Sequence, residues 1–428
     1  MIVGMTQGHP SKIAPGRSAP HTPLAEDFLA TRALIEALAE PLTDADASVQ
    51  SMPDASPAKW HLAHTTWFWE TFLLRDHAPG YRLFNADWPY LFNSYYEAEG
   101  ARLGRALRGM LSRPSLAEVL EWRAHVTSAM TPLLADPAHE ALIRLGIAHE
   151  QQHTELLLTD IKHALFANPL GPAMWPAEAR SPSAPAPRAA VPGWHQHPGG
   201  IAWVGDDGTG GFAFDNEGPR HRVLLEPFAL ADRLVTNAEW AEFIAAGGYR
   251  DARLWLADGW VWVQADGITA PLYWREDGTQ FTHHGWQPRA PDAPVTHISF
   301  YEADAFATWA GCRLPTEFEW EVIAAAHDPA GGNQLDHAAA PLPGGGGSGA
   351  SLFGDVWQFT RSAYLPYPGF RPGAGAVGEY NGKFMSGQVV LRGASCATVR
   401  GSSRCSYRNF FYPHQRWQFT GLRLARDA

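Results

Sequence analysis

His149-Glu150-Gln151-Gln152-His153-Thr154-Glu155 lies inside Pro137–Asn168, a stretch that reads as one long helix. Two histidines four apart on a helix point the same way, about one turn above each other. Their imidazoles can converge on one metal ion, the geometry used by metal sites built on helices. The competing reading is a polar patch on an amphipathic helix. A helix that turns two imidazoles toward one point rarely does so for packing alone.

His149-Glu150-x-x-His153 also has the form of the zinc-protease motif, in which Glu150 would be the general base. The downstream residues Leu156-Leu157-Leu158-Thr159-Asp160 carry no glycine turn and none of the extended motif's histidine ligands. Asp160 and His163 remain conceivable ligands, so that reading is weakened and not excluded. A better third ligand lies upstream. Ser56-Pro57-Ala58-Lys59-Trp60-His61-Leu62-Ala63-His64 opens another helix, with Pro57 at its first turn. His61 and His64 are three apart, so either could face inward; beside His149 and His153, His64 is the leading candidate. Three neutral imidazoles leave open positions for substrate or water, as catalytic sites do. Imidazole suits Zn, Fe, Cu and Ni alike, so ligand type does not fix the metal.

Working outward, the first half reads as helices over Leu24–Pro41, Ala58–His77, Ser115–Leu134 and Pro137–Asn168. Ser115 and Glu118 form a capping-box pattern. Four helices with one long crossover, Ala78–Pro114, suggest a bundle with its site in the core. Pro176–Gly193 is rich in Pro, Ala and Ser, a linker or extended strap. The second half changes to Gly, Trp and short strand-like runs. Helices are expected there at Asn237–Ala246 and Tyr301–Gly311, and a low-complexity loop at Gly331–Ala350. This pattern suggests an α+β domain of irregular topology.

Composition narrows the function. At 428 residues two domains are expected, and 45% hydrophobic content is ordinary for a globular protein. A net charge of −11, with no Lys/Arg-rich stripe, argues against a nucleic-acid partner. No apolar run approaches the ~18–20 residues of a membrane span. Met1–Pro23 lacks a signal-peptide core and reads as a disordered leader. Cys312, Cys396 and Cys405 are too few for a disulfide framework, so the cytoplasm is the expected compartment. Tryptophan is abundant, 18 residues, which suits a core and also a pocket for an apolar or cationic ligand.

The second half resembles the formylglycine-generating-enzyme/sulfatase-modifying domain, a C-type-lectin-like fold. Its signatures occur in order: Val235-Thr236-Asn237-Ala238-Glu239-Trp240, Pro294-Val295-Thr296-His297-Ile298-Ser299-Phe300, Arg313-Leu314-Pro315-Thr316-Glu317-Phe318-Glu319-Trp320-Glu321, Gly354-Asp355-Val356-Trp357-Gln358-Phe359-Thr360, Arg392-Gly393-Ala394-Ser395 and Gly421-Leu422-Arg423. The first half resembles the DinB-like four-helix bundle through Trp60-His61-Leu62-Ala63-His64 and His149–Glu155. The expected fold is therefore an α+β multidomain chain. A DinB-like bundle covers 24–175, a linker 176–193, and the C-type-lectin-like domain 194–428.

That fusion resembles the ergothioneine-pathway sulfoxide synthases, non-haem iron enzymes that use O₂ to join a thiol to the imidazole of hercynine, N-α-trimethylhistidine. The resemblance implies Fe(2+) held by His64, His149 and His153. It implies Gln152 and Tyr380 at the hercynine imidazole, Asn409 at its carboxylate, and Phe410 and Phe411 lining the pocket. The branch using γ-glutamylcysteine has a catalytic tyrosine three residues before Tyr380, where this chain has Val377. It has an acidic residue where this chain has Phe411. Both departures match the cysteine-using branch. There the catalytic tyrosine comes from the bundle side, in Asn93-Ser94-Tyr95-Tyr96-Glu97. Tyr95 would supply a proton or hydrogen atom to the reacting oxygen, with Tyr96 as the fallback. Arg105 and Arg108 would hold the cysteine carboxylate, a task suited to bidentate guanidinium.

Four other readings compete. Selenoneine synthase would share the metal site and use a selenosugar. The ovothiol-path relative usually carries a methyltransferase domain for which no chain remains. A formylglycine-generating enzyme needs a close cysteine pair, and Cys396 and Cys405 are nine apart. A lectin-like binding module would leave three converging histidines unexplained. The expected partners are small molecules alone, hercynine, cysteine and O₂, with no nucleic acid and no membrane.

Overall fold

The computed structural model describes residues 24–176, 192–344, 352–373, 378 and 381–428. The leader Met1–Pro23, most of the linker (177–191), the end of the Gly-rich loop (345–350), Val377 and Tyr380 lie outside the described residues.

The first half is the expected bundle. Its helices span Leu24–Ala39, Ala58–Trp69, Leu116–Met130 and Glu140–Ala167. Ser115 caps the third helix through the capping box with Glu118. Pro57 stands at the N-cap of the second helix rather than inside its first turn. That helix runs on through a π-helical turn, Glu70–Arg75. The fourth helix is preceded by a separate short 3₁₀ turn, Pro137–His139, so Pro137–Asn168 is not one unbroken helix. The crossover carries the short helix Trp88–Phe92 and 3₁₀ turns at Glu97–Glu99 and Arg105–Met110.

A buried charge cluster locks the four helices together. The Glu150 carboxylate accepts hydrogen bonds from Arg123 Nη2 at 2.9 Å, Arg32 Nη1 at 3.2 Å and Trp69 Nε1 at 2.7 Å. Arg32 also donates to Thr66 Oγ1, and Arg123 to the Leu62 carbonyl. Burial alone pushes the Glu150 carboxyl up, but the two guanidiniums and the indole N–H outweigh it and hold it down. Gly146 permits the close helix contact, since a Cβ there would stand 2.5 Å from the Trp69 ring. Glu150 is thus a structural counter-ion, and the general base of the protease reading is removed. Glu150→Ala would strand two buried guanidiniums. It is expected to cost about 3–5 kcal/mol in denaturant unfolding. Normal stability with lost activity would restore the catalytic reading.

The second half is built from short strands around four main helices. One sheet places Phe228–Ala231 between Trp194–His197 and Ala425–Asp427, so the chain's last strand returns to its domain's beginning. A second sheet runs in the order Thr420–Gly421, Trp357–Ala363, Val389–Gly393, Asn409–Phe411. Asn237–Ala245 and Phe300–Trp309 match the expected helices. Two more were not expected from the sequence, Ala257–Asp266 and Glu317–Ala324. Thr316–Glu319 caps the latter by the same box seen at Thr236–Glu239 and Ser299–Glu302. Among the described residues no helix is long and apolar enough to cross a membrane. Cys312, Cys396 and Cys405 are free thiols.

The Glu140–Ala167 helix docks the two halves. Gln152 Nε2 donates to Tyr407 Oη at 2.6 Å. Glu155 accepts from Trp357 Nε1, Ser395 Oγ and Thr398 Oγ1 at 2.5–2.8 Å. Asp160 accepts from Trp417 Nε1 at 2.9 Å, and Lys162 Nζ reaches His297 Nε2 at 2.6 Å. Glu155 is half-buried against these neutral donors, and desolvation raises its carboxyl pKa despite them.

Candidate metal centre and its pocket

His149 and His153 stand on that same helix, and His64 faces them from the Ala58–Trp69 helix. One nitrogen from each of the three lies within 4.8 Å of the others, and all three residues are buried. The ring centroids are 4.6–5.0 Å apart. His64 is stacked between Trp60 and Trp67, each tilted 13° from its plane. Its Nδ1 meets the Phe92 carbonyl at 2.6 Å, which fixes the proton there and leaves Nε2 for a ligand.

Burial pushes all three imidazoles down in pKa, His149 to about 4 and His64 and His153 well below the ordinary histidine value. Neighbouring imidazoles add to the shift in His64 and His153. Neutral imidazole is the form that ligates a metal. The donor set therefore fits a divalent transition ion, with no protein carboxylate in the cluster and positions left for substrates. Neither Asp160 nor His163 joins it. Asp160 binds His61 and Trp417, and His163 Nδ1 pairs with Ser51 Oγ at 2.7 Å. His61 is not part of the cluster either; its Nδ1 lies 2.9 Å from His153 Nδ1, and it shares the cavity wall with His153.

The cluster borders a cavity of about 210 Å³ between the two halves. The bundle contributes Trp60, His153 and Gln152; the second half contributes Tyr407 and the strand Asn409–Phe411. Arg105 and Arg108 lie on the bundle wall. Arg108 is buried, with its guanidinium carbon 3.3 Å from the Trp60 ring centroid. It donates to Ser56 Oγ at 2.8 Å and Ser94 Oγ at 3.3 Å. Among the described residues no carboxylate pairs with it. Burial first and Arg105 second disfavour its charge. Such a group gains most from an incoming anion. Arg105 Nη1 holds the Asp54 carbonyl at 3.1 Å, with its guanidinium over the Tyr95 ring.

The two adjacent tyrosines part company. Tyr95 lines the cavity, edge-on to Phe384 at 4.9 Å. Tyr96 is 2% exposed and packs against Trp67 and Phe72 in the bundle core, off the cavity wall. Adjacent residues in extended backbone face opposite ways, which sequence alone could not turn into an inside and an outside. Phe410 stacks on Tyr364 at 4.1 Å and Phe411 shares its strand. Tyr380 lies outside the described residues. The sequence reading did not identify Tyr407, Trp417 or the contact of His61 with His153. Only the His61-x-x-His64 spacing hinted at the last.

Comparison with known proteins agrees with this architecture. Residues 27–157 match the DinB superfamily, and residues 181–340 match the sulfatase-modifying factor enzyme 1-like domain. A DinB-like bundle joined to that domain, with a three-histidine cluster at the seam, defines a two-domain oxidoreductase. The chain belongs to the hercynine oxygenase family. It is 35% identical over 419 residues to the hercynine oxygenase of Mycolicibacterium smegmatis, covering 90% of this chain and 94% of that one. The hercynine oxygenase of Mycobacterium tuberculosis is 35% identical over 416 residues, with the same coverage. The formylglycine-generating enzyme of Streptomyces coelicolor is 35% identical over 172 residues, only 35% of this chain and 52% of that one. That likeness covers about a third of this chain, against nine-tenths for the hercynine oxygenases. The lectin-like module and the formylglycine-generating readings are set aside.

Proposed function

We propose that this protein is an iron(II)- and O₂-dependent sulfoxide synthase that joins cysteine to the imidazole of hercynine in ergothioneine biosynthesis. The observation that carries this reading is the three-histidine cluster opening onto a two-sided pocket with a carboxylate-free Arg108 beside it. Bound through His64, His149 and His153, iron(II) would supply O₂ reduction and favour the thiolate form of the donor.

The chain's own residues supply position and selectivity. Arg108, supported by Arg105, receives the cysteine carboxylate. Gln152 faces the hercynine imidazole with Tyr380, and its bond to Tyr407 fixes the amide. Asn409 meets the hercynine carboxylate. A trimethylammonium has no N–H to donate, so the aromatic faces of Phe410 and Phe411 and exclusion of water must hold it. Tyr95 delivers the proton or hydrogen atom that favours C–S bond formation and sulfoxidation over simple thiol oxidation. The overall change balances: one C–H and one S–H are lost, one C–S and one S–O bond form, and the second oxygen atom leaves as water.

The test is a competition between cysteine and γ-glutamylcysteine at equal concentration, with hercynine, iron(II) and air. A glutamyl ammonium facing Phe411 would be desolvated without a partner, and at full burial an unpaired charge costs more than the ~2–7 kcal/mol of an unpaired neutral polar group. At least a ~100-fold preference for cysteine is therefore expected. Preference for γ-glutamylcysteine would refute the donor assignment. Turnover only with a selenosugar would move the protein to selenoneine synthesis.

A further inference from the structure

His61 was the ambiguous histidine of the Trp60–His64 segment, and it lies in a chain of contacts ending on a ligand. Asp160 Oδ2 accepts the Ser56 backbone N–H at 2.7 Å and meets His61 Nε2 at 3.1 Å, while Asp160 Oδ1 accepts from Trp417 Nε1 at 2.9 Å. On its other side His61 Nδ1 meets His153 Nδ1 at 2.9 Å. Asp160, His61 and His153 are all buried.

The partners dictate the protons. A carboxylate accepts, so His61 must carry its proton on Nε2. The neutral ring then presents a lone pair at Nδ1. Two facing Nδ1 atoms at 2.9 Å share one proton, and with His61 neutral and already protonated on Nε2, that proton sits on His153 Nδ1. Its Nε2 is left as a lone pair. We propose that Asp160 and His61 form a relay that holds His153 in the one tautomer able to ligate the metal through Nε2. His61 and Asp160 are positioning residues, and the inference rests on the reading that His64, His149 and His153 hold the metal.

The relay also reaches across the domain seam. Trp417 belongs to the second half, so one carboxylate both orients a ligand of the bundle and receives the docked domain. Removing His61 would free the His153 ring to flip or to exchange tautomers. Partners of ligating histidines typically change metal affinity by 10–100-fold when lost.

The experiment uses the full-length chain with cobalt(II) as the probe, read by its visible ligand-field absorption and by competition with a chelator. His61→Phe keeps the ring volume and removes both nitrogens. Asp160→Asn keeps the shape and allows an N–H to face His61 Nε2. Each variant is expected to bind cobalt(II) about 10–100-fold more weakly, with an altered absorption band. The native chain labelled with ¹⁵N-histidine and free of metal is expected to show His153 protonated on Nδ1, a readout independent of whether any variant folds. His153 protonated on Nε2 would overturn the relay. So would cobalt affinities within twofold of native in folded His61→Phe and Asp160→Asn. His153→Ala separates the two levels. If it loses cobalt while the relay variants do not, only this inference fails. If it binds cobalt like the native chain, the three-histidine reading fails and the relay falls with it.

Discussion

Alanine in place of His64, His149 or His153 is expected to abolish turnover and strip the protein of metal. The three nitrogens lie within 4.8 Å of each other in a buried cluster, so on the proposed reading each would supply one third of the protein's ligand set. None of the neighbours can substitute. Asp160 is committed to His61, Ser56 and Trp417, and Glu150 to two arginines. A fall of at least ~1,000-fold in kcat/KM is expected, equivalent to about 4 kcal/mol of lost transition-state stabilisation. Metal content after iron(II) loading and gel filtration should drop below a tenth of native. Unfolding curves should show the bundle retained, because the Glu150 cluster that locks it is untouched. Full metal occupancy in all three variants would sink the assignment.

Tyr95→Phe is expected to redirect the reaction rather than stop it. Tyr95 lines the cavity, whereas Tyr96 is packed between Trp67 and Phe72. On the proposed reading, removing the Tyr95 hydroxyl would leave iron, hercynine and cysteine in place and delete the proton source. Product should shift from hercynyl sulfoxide to oxidised cysteine, with at least a ~100-fold change in their ratio, about 2.7 kcal/mol between competing barriers. Metal content should be unchanged. Tyr96→Phe should leave the ratio near native. The reverse pattern would exchange the roles of the two tyrosines. If neither variant changes the ratio, the proton comes from elsewhere and Asn93–Glu97 is packing.

Much of this site is written in local patterns. The i,i+4 histidines fix their own common direction, because helix geometry alone sets it. Ser115–Glu118 announces a helix start by hydrogen-bonding that is complete within four residues. The same box at Thr316–Glu319 was equally legible, but the sequence reading stopped at two helices in that half. What stayed hidden depends on tertiary neighbours. His61 and His64 are three apart and share a face closely enough that only the position of the ligand helix separates ligand from backing group. Glu150 sits inside a protease-like motif, and only Arg32 and Arg123, brought from other helices, reveal it as a counter-ion. Tyr407 and Trp417 carry no local signature, since their partners Gln152 and Asp160 lie more than 250 residues away in the chain.

Among the described residues the strand Asn409–Phe411 is the outermost of its sheet and pairs only with Val389–Gly393. A strand held on one side has few neighbours to offend. Its side chains can be exchanged over evolutionary time at small cost to folding, whereas the buried stretch of the long helix around His149 and Glu150, tied to the other three helices, cannot drift. A lineage of such enzymes could therefore inherit one invariant reactive centre and trial new substrates by rewriting three residues at a sheet's margin. Directed evolution aimed at other thiols or other betaines has its natural starting library there.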